Sequence, residues 1–373
     1  MVVGHLMWPT TKIFKLKKMN KNLYTILFSI GFCFLQTAVV FAGNPDRQGE
    51  SGAGELLLNP WGRSAGFHSM NTSSVFGVES MRINIAGLSR ISSGELTLAS
   101  SRLYEGTGLT TSAIGFATKS GENGAIGISL TSLSFGNIPI TTTAQPEGLG
   151  GTFSPNFFNI AVGYSYMYAN KISVGMLLRG ISESLPDVSA FGFGIDAGVQ
   201  YVSGENDNFK LGISLRNIGS PMTFGGEGLS FSAPNTGGQV SGTTYNLTYD
   251  RRAASFELPS VLDIGLSYDF YLNRTDYIRA ITNFTSNAFS ADNLGVGAEF
   301  SFRNILALRA AYRVEIGEGT NTIGDNLYSG LAAGVSVDIP FKKGSDTRLG
   351  LDYGFRATNV FKGTHNLGLR LSF

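Results

Sequence analysis

The chain has 373 residues, a formal net charge of +1, 49 glycines, 11 prolines and one cysteine. That balance offers no basic footprint for nucleic acid, and three histidines with a single cysteine leave little material for disulfides, thiolate chemistry or histidine-rich metal centres. The glycines follow no collagen period, and the length suits either a two-domain soluble protein or one large barrel.

At the amino-terminus, Lys15, Lys17, Lys18 and Lys21 precede an apolar run from Leu23 to Phe41 that closes at Val40-Phe41-Ala42. A basic region, an apolar region and a small-residue cleavage context in that order make an export signal. Residues 1–42 are expected to be removed, with the mature chain starting at Gly43; Met19 can serve as the initiator. A retained transmembrane helix would need such a run as well, but here a cleavage site and the polar stretch Gly43 to Ser51 follow it. Cys33 lies inside the signal behind Ile30-Gly31-Phe32, which is not a lipoprotein context, so the exported chain carries no cysteine and keeps only His68 and His365. No later stretch reaches helical-span length; any membrane crossing would be by strands.

Residues 43–93 alternate short apolar pieces with turn residues: Leu56-Leu57-Leu58, then Asn59-Pro60-Trp61-Gly62-Arg63-Ser64-Ala65-Gly66, the polar tract Asn71 to Ser74, and Val78 through Leu88. A loose leader would leave those apolar pieces in water, so a compact segment packed inside a barrel is the better reading.

From Gly94 onward the period becomes two. Ile126, Ile128 and Leu130 alternate with Gly127, Ser129 and Thr131, and Leu349, Leu351, Tyr353 and Phe355 alternate with Gly350, Asp352 and Gly354. About fourteen such segments predict strands at 94–103, 110–118, 124–133, 157–168, 171–182, 191–202, 208–218, 259–271, 275–285, 291–302, 304–314, 328–340, 347–358 and 364–373, each of transmembrane length and even in number. The last places Leu367, Leu369, Leu371 and Phe373 on one face and Asn366, Gly368, Arg370 and Ser372 on the other, and it ends on an aromatic carboxy-terminus, as the closing strand of an outer-membrane barrel does.

A soluble sandwich alternates too, but two features favour a membrane. Short connections such as Ala169-Asn170 and Leu272 to Arg274 alternate with long ones, Ser134 to Asn156, Gly219 to Leu258 and Glu315 to Leu327. In addition Phe116, Tyr168, Tyr201, Phe270, Phe302, Phe341 and Phe373 fall near the short-turn ends, as an interfacial girdle requires. This pattern predicts an all-β transmembrane antiparallel barrel (94–373) with an amino-terminal plug (43–93), located in the outer membrane among its lipids, with both mature termini periplasmic and the long loops extracellular.

The inward positions are small or polar, with Asp263, Asp269, Asp338, Asp352, Arg348, Arg356 and Arg370 able to pair across strands. Alternation places carboxylates inward in any barrel, so these read as lumen rather than as acid and base. His68 beside Ser69 on an irregular segment is not a triad, and Gly225-Gly226-Glu227-Gly228 lacks the lysine and strand-to-helix setting of a phosphate loop. No enzyme activity, cofactor or metal is expected. A lumen of fourteen strands needs stopping, and residues 43–93 are the right amount of chain to do it.

Arg63-Ser64-Ala65-Gly66, an acidic residue at Glu79 and Asn84-Ile85-Ala86-Gly87-Leu88 resemble the amino-terminal signature of the PorV/PorQ-like proteins. Leu215 to Gly219 and Phe256 to Gly265 are similar to further segments of that group, so the resemblance runs from about residue 50 to the end. It departs where Ile85 stands in place of the usual proline and where a single Glu79 replaces acidic pairs. The resemblance implies a FadL-like barrel, associated with the type IX secretion system of Bacteroidota, that binds or shuttles secreted cargo beside a larger translocon barrel, with Arg63, Gly66, Glu79, Asn84, Gly87 and Leu88 as its plug motif. The alternative, implied by FadL itself, is a transporter of hydrophobic small molecules. The longest loop places Met222, Phe224, Leu229, Phe231, Tyr245, Leu247 and Tyr249 among glycines, which predicts a partner-binding surface at Met222, Phe224, Leu229, Phe231, Tyr245 and Tyr249, or a lid over the barrel mouth.

Overall fold

The computed structural model describes residues 47–148, 150–234, 246–316, 327–341 and 347–373; the expected export signal (1–42), the expected mature start at Gly43, and Tyr245 lie outside them. Fourteen antiparallel strands close into a barrel: β1 (Gly94–Arg102), β2 (Thr110–Ser120), β3 (Gly124–Ser134), β4 (Asn156–Tyr168), β5 (Ile172–Ser184), β6 (Ser189–Ser203), β7 (Phe209–Gly219), β8 (Val261–Tyr271), β9 (Tyr277–Asn287), β10 (Asp292–Phe302), β11 (Leu306–Ile316), β12 (Tyr328–Pro340), β13 (Arg348–Thr358) and β14 (Thr364–Ser372). Every strand pairs with its chain neighbours, and β1 closes on β14 with Glu95 opposite Ser372 and Arg102 opposite His365. Phe373 completes the closure, exchanging backbone hydrogen bonds of 2.7 and 2.9 Å with Gly94.

The outward faces are apolar. In β6 burial alternates residue by residue, with Phe191, Phe193, Ile195 and Val199 exposed and Asp196 and Gln200 buried. Such a surface would be untenable in water and is what a bilayer requires. Phe116, Tyr168, Tyr201, Phe270, Phe302, Phe341 and Phe373 are all exposed beside the short turns. Those turns, at 121–123, 169–171, 204–208, 272–276 and 303–305, share one rim; the other rim carries the strand ends that lead into the long connections and also the brief turns at 185–188 and 288–291. Among the described residues no helix is long and apolar enough to cross a membrane, a test blind to barrels.

Residues 47–93 fill the lumen through four short helical pieces, Gly54–Leu57, Gly62–Ala65, Ser80–Ile83 and Ile85–Arg90. Nearly every residue from Asn59 to Ser89 is buried. The plug backbone approaches the wall so closely that glycine is required there. A Cβ at Gly334 would sit 2.9 Å from Gly66 Cα, one at Gly212 would sit 2.4 Å from Thr72 O, and one at Gly354 would sit 2.5 Å from Gly62 O. Several of these glycines face each other across strands, Gly127 with Gly163, Gly175 with Gly198, Gly212 with Gly265 and Gly334 with Gly354. The abundance of glycine thus reflects space needed for the plug as well as a small polar inner face.

The expected mature start at Gly43 lies outside the described residues; the first described residues lie at the long-loop rim, opposite Phe373. Arg47 pairs with Glu257 at 3.1 Å and stacks on Phe289, and Gly52 N donates to Glu257 O at 3.0 Å. The chain therefore runs from the long-loop rim through the lumen to Gly94 at the short-turn rim. Counting strands fixes only the side on which β1 begins; a segment threading the lumen reverses the side of whatever precedes it.

Candidate functional site at the plug, its seams and its chambers

The plug motif residues hold the plug together and seat it. Glu79, buried, accepts from Ser64 N at 2.9 Å and from the Ser64 hydroxyl, and pairs with Arg63 at 3.6 Å. Arg63 also donates to Phe76 O at 2.7 Å and stacks on the Phe76 ring. Together these contacts tie the two ends of the loop between Arg63 and Glu79, with Arg63 Nη1 left without a partner. Asn84 joins plug to wall, its amide nitrogen reaching Thr72 O and Val199 O at 3.1 Å and Ile213 O at 3.3 Å, while its oxygen caps the next helical turn at Ala86 N. Gly66 meets the wall at Gly334, Gly87 leaves no space for a side chain against Val75 O, and Leu88 packs over Gly127. Ile85, where the resembled family has proline, reaches Gly163 and Gly175 on the wall.

The plug rests on two unlike walls. Against β1–β5 it presents Trp61, Val78, Met81, Ile85, Leu88 and Ile91, which pack on Ala99, Ala113, Ala117, Ala125, Ala161 and Leu177. Against β7–β14 the plug makes a smaller apolar contact, Phe67 and Met70 on Ile281 and Ala311, and beside it runs an ionic ladder in strand register: Asp269 lies opposite Arg279, Arg279 opposite Glu299, and Glu299 opposite Arg309. Arg279 reaches Asp269 at 2.6 Å and Glu299 at 3.1 Å, and Arg309 reaches Glu299 at 2.6 Å and Ser336 at 2.5 Å. Lys210 adds to Asp269, Ser336 passes the ladder to Asp352, and Arg370 joins Asp352 at 3.4 Å to Asp338 at 2.7 Å. Arg279, Glu299, Arg309 and Lys210 were missed as site residues in the sequence, although each falls at the inward parity of an expected strand.

Among the described residues two chambers flank the plug. One of about 430 Å³ lies below the plug at the short-turn rim, between Arg63, Phe67, Phe76 and the ladder residues Arg279, Glu299, Arg309 and Arg370. The other, of about 320 Å³, lies above it at the long-loop rim and is lined by His68, Arg82, Tyr104, Arg216, Asp263, Arg313, Glu315, Tyr328 and Arg356, among others. His68 does not touch Ser69 through a hydrogen bond: both imidazole nitrogens lack a partner, its ring meets Tyr328 edge-on at 5.2 Å, and Ser69 Oγ accepts instead from Asn59 at 2.9 Å. Burial, and then the charges of Arg313 and Arg356, hold the His68 imidazolium well below the usual range, so the ring is neutral. Among the described residues no group of histidine, cysteine and acidic side chains could hold a metal ion.

The long loop divides its predicted anchors. Met222 is fully buried beneath the loop, against Gly192, and so is not part of an open partner surface. It belongs to an apolar cluster with Ala53 and Leu56 of the plug, Ile181, Ala190 and Leu258, with Phe224 and Phe256 packed against it. Met222 pairs with Phe256 through two 2.9 Å backbone bonds, and Gly225 pairs likewise with Ser189, folding this part of the loop onto the rim. Leu229 is half-buried. Phe231 and Tyr249 are exposed and stacked at 5.7 Å on a two-stranded ladder, Ser230–Pro234 with Asn246–Asp250, and Arg251 caps Phe231. Beside the apolar cluster the barrel wall is irregular: the β6–β7 register shifts between Ile195 and Ala197, and Asn217 adopts a left-handed φ of 59°. Asn217 N is held by Asp196 at 2.7 Å and its side chain by Pro259 O at 3.0 Å.

No family model matches the chain, and no curated protein matches it in sequence. Solved structures do match in shape. The toluene transporter TbuX of Ralstonia pickettii is 13% identical with a TM-score of 0.52, covering 84% of this chain and 98% of its own. The toluene transporter TodX of Pseudomonas putida is 14% identical with a TM-score of 0.50, covering 84% and 96%. At such identity the likeness speaks for fold alone: the chain is a closed fourteen-stranded antiparallel barrel that shares its fold with these two proteins.

Proposed function

We propose that this protein is a non-enzymatic, plug-stoppered outer-membrane channel that admits small hydrophobic molecules, with the long loops extracellular and the short turns periplasmic. The observation that carries this reading is the apolar seam between the first turn of the plug and the long loop. There an entering molecule meets the apolar side chains of Leu56, Ile181, Met222, Phe224, Phe256 and Leu258, with the buried carboxyl groups of Glu55 and Glu183 beside them. Few groups hold the seam shut: two backbone bonds, Gly52 N to Glu257 O and Glu257 N to Glu50 O, and the exposed pair Arg47–Glu257, and such surface pairs are worth little. Both lumenal chambers are charged and ill suited to hydrocarbon, so passage runs sideways, past the irregular β6–β7 wall beside the seam. The FadL-like fold and the named substrate of TodX and TbuX support the same class of cargo.

The test uses the absence of cysteine downstream of Cys33. Ser51 and Glu257 are bridged partners, so Ser51→Cys with Glu257→Cys should lock plug to loop on oxidation. Toluene uptake by vesicles should fall at least tenfold when oxidised and recover on reduction; equal uptake in both states would exclude the seam as entrance.

A second reading, an accessory of PorV/PorQ type that binds secreted cargo or a large translocon in type IX secretion, draws on the exposed Phe231–Tyr249 stack. Replacing both rings by serine spares the seam. Loss of a co-purifying barrel or secreted protein with uptake unchanged would favour this reading over the channel.

A further inference from the structure

The two ends of the lumen treat charge differently. In the lower chamber Arg63, Arg279, Arg309 and Arg370 each reach a carboxylate, while Arg90 and Arg348 bond to Gln200 and to Asn304 O instead. In the upper chamber four guanidinium groups, those of Arg82, Arg216, Arg313 and Arg356, line a space with two carboxylates, Asp263 and Glu315. Asp263 is taken by Arg216 at 2.8 Å, and Glu315 acts on Arg313 only from beyond ion-pair distance. Among the described residues Arg82, Arg313 and Arg356 form no ion pair. Arg82 is buried and donates to the carbonyls of Glu55 and Leu58, with Nη1 left over. Arg356 is buried over the Tyr328 ring; among the described residues its side chain makes a single hydrogen bond, a 3.4 Å contact to Asn59 O, with Nε left over. His68, 1% exposed, adds two unpartnered nitrogens.

Buried cations without counter-charge are costly, and the cost disappears when an anion supplies the missing acceptors. We propose that the upper chamber is a binding site for a hydrophilic oxyanion, a phosphate or polycarboxylate group held by Arg313 and Arg356 of the wall with His68 and Arg82 of the plug. Planar guanidinium forks suit such oxygens. Neutral His68 donates from one ring nitrogen, and the polar lining with about 320 Å³ of space fits a compact anion rather than an acyl chain. Because β11 and β13 hold one side of the site and the plug the other, a bound anion ties the plug to the wall. This site is separate from the apolar seam and does not depend on hydrocarbon passage.

Purified protein in detergent is titrated calorimetrically with inorganic phosphate and, separately, with citrate, at constant ionic strength in chloride. Binding of at least one at a single site per barrel is expected, with phosphate preference indicating a phosphorylated ligand and citrate preference a polycarboxylate. Arg356→Gln should weaken it tenfold or more and Arg356→Lys by less, whereas Lys171→Gln on the opposite rim should leave it unchanged. Arg356→Gln removes an uncompensated charge, so folding should survive. The wild type gives an independent reading: the bound anion should raise the temperature at which heat-modifiable migration is lost. Failure of both anions to bind, wild-type binding by Arg356→Gln, or no thermal shift would each overturn the site.

Discussion

The wall from β1 to β5 and the wall from β7 to β14 solve the same problem by opposite means. Each must satisfy an inner face enclosed by a plug. The first does so with alanine, glycine and Leu177 against the apolar side of the plug, where each fully buried aliphatic side chain contributes about 1.5–3 kcal/mol. The second carries its own partners in register, so that Asp269, Arg279, Glu299 and Arg309 neutralise one another across hydrogen-bonded strands. The lesson is that the plug needs its larger apolar seat on only part of the barrel; elsewhere, beside a small contact at Ile281 and Ala311, the wall can be polar where strand register pairs its charges, as it does around Glu299 though not at Arg313 and Arg356.

The largest effect is expected on the ionic wall. Glu299→Ala leaves Arg309 without its carboxylate and Arg279 with Asp269 alone, and breaking a buried pair costs about 3–5 kcal/mol. Urea unfolding in lipid vesicles, followed by Trp61 fluorescence, should show it. Glu299→Leu with Arg309→Leu should recover much of the loss, since removing both charges leaves no orphan. A double variant as unstable as the single one would mean that the ladder is not what holds this wall.

Leu88→Ala on the apolar wall should cost about 2–4 kcal/mol through lost burial and a cavity. Gly127 offers a sharper form of the test, because a Cβ there would lie 2.9 Å from Met81 Sδ and 3.2 Å from Leu88. Gly127→Ala alone overpacks the seat, at about 1 kcal/mol; combined with Leu88→Ala it occupies part of the void, so the two costs should not add. Strict additivity in the same unfolding assay would contradict the contact.

The smallest effect concerns pH. His68 is held neutral in the folded protein with its pKa below the ordinary 6.5, so the unfolded chain binds the extra proton first as pH falls. Its contribution is fully present above about pH 6.5 and declines below it, by about 1.4 kcal/mol per pH unit until the folded ring titrates. In chloride buffer His68→Gln should remove that slope; an unchanged slope would assign the acid sensitivity to other groups.

Much was legible from local pattern. Period-two alternation placed all fourteen strands, the exposed aromatics near the short turns marked the membrane boundary, and punctuated apolar pieces in 43–93 indicated a packed segment. Those features are properties of neighbouring residues, and the inward parity of Asp269, Asp352 and Arg370 followed from the same alternation. Partnership did not follow. Glu299 meets Arg279 and Arg309 only because strand register brings them opposite, and Arg313 and Arg356 share a chamber with His68 only because the plug fills the barrel. Met222 reads as an exposed loop residue until the loop folds back on Gly192. The sequence by itself determined a fourteen-stranded barrel with apolar outside and polar inside, because side-chain alternation is set by backbone geometry. Which end of the lumen the described chain enters, which charges are neutralised and which are left open were decided by the tertiary structure, because each depends on groups distant in the chain meeting at a few ångströms inside an enclosed space.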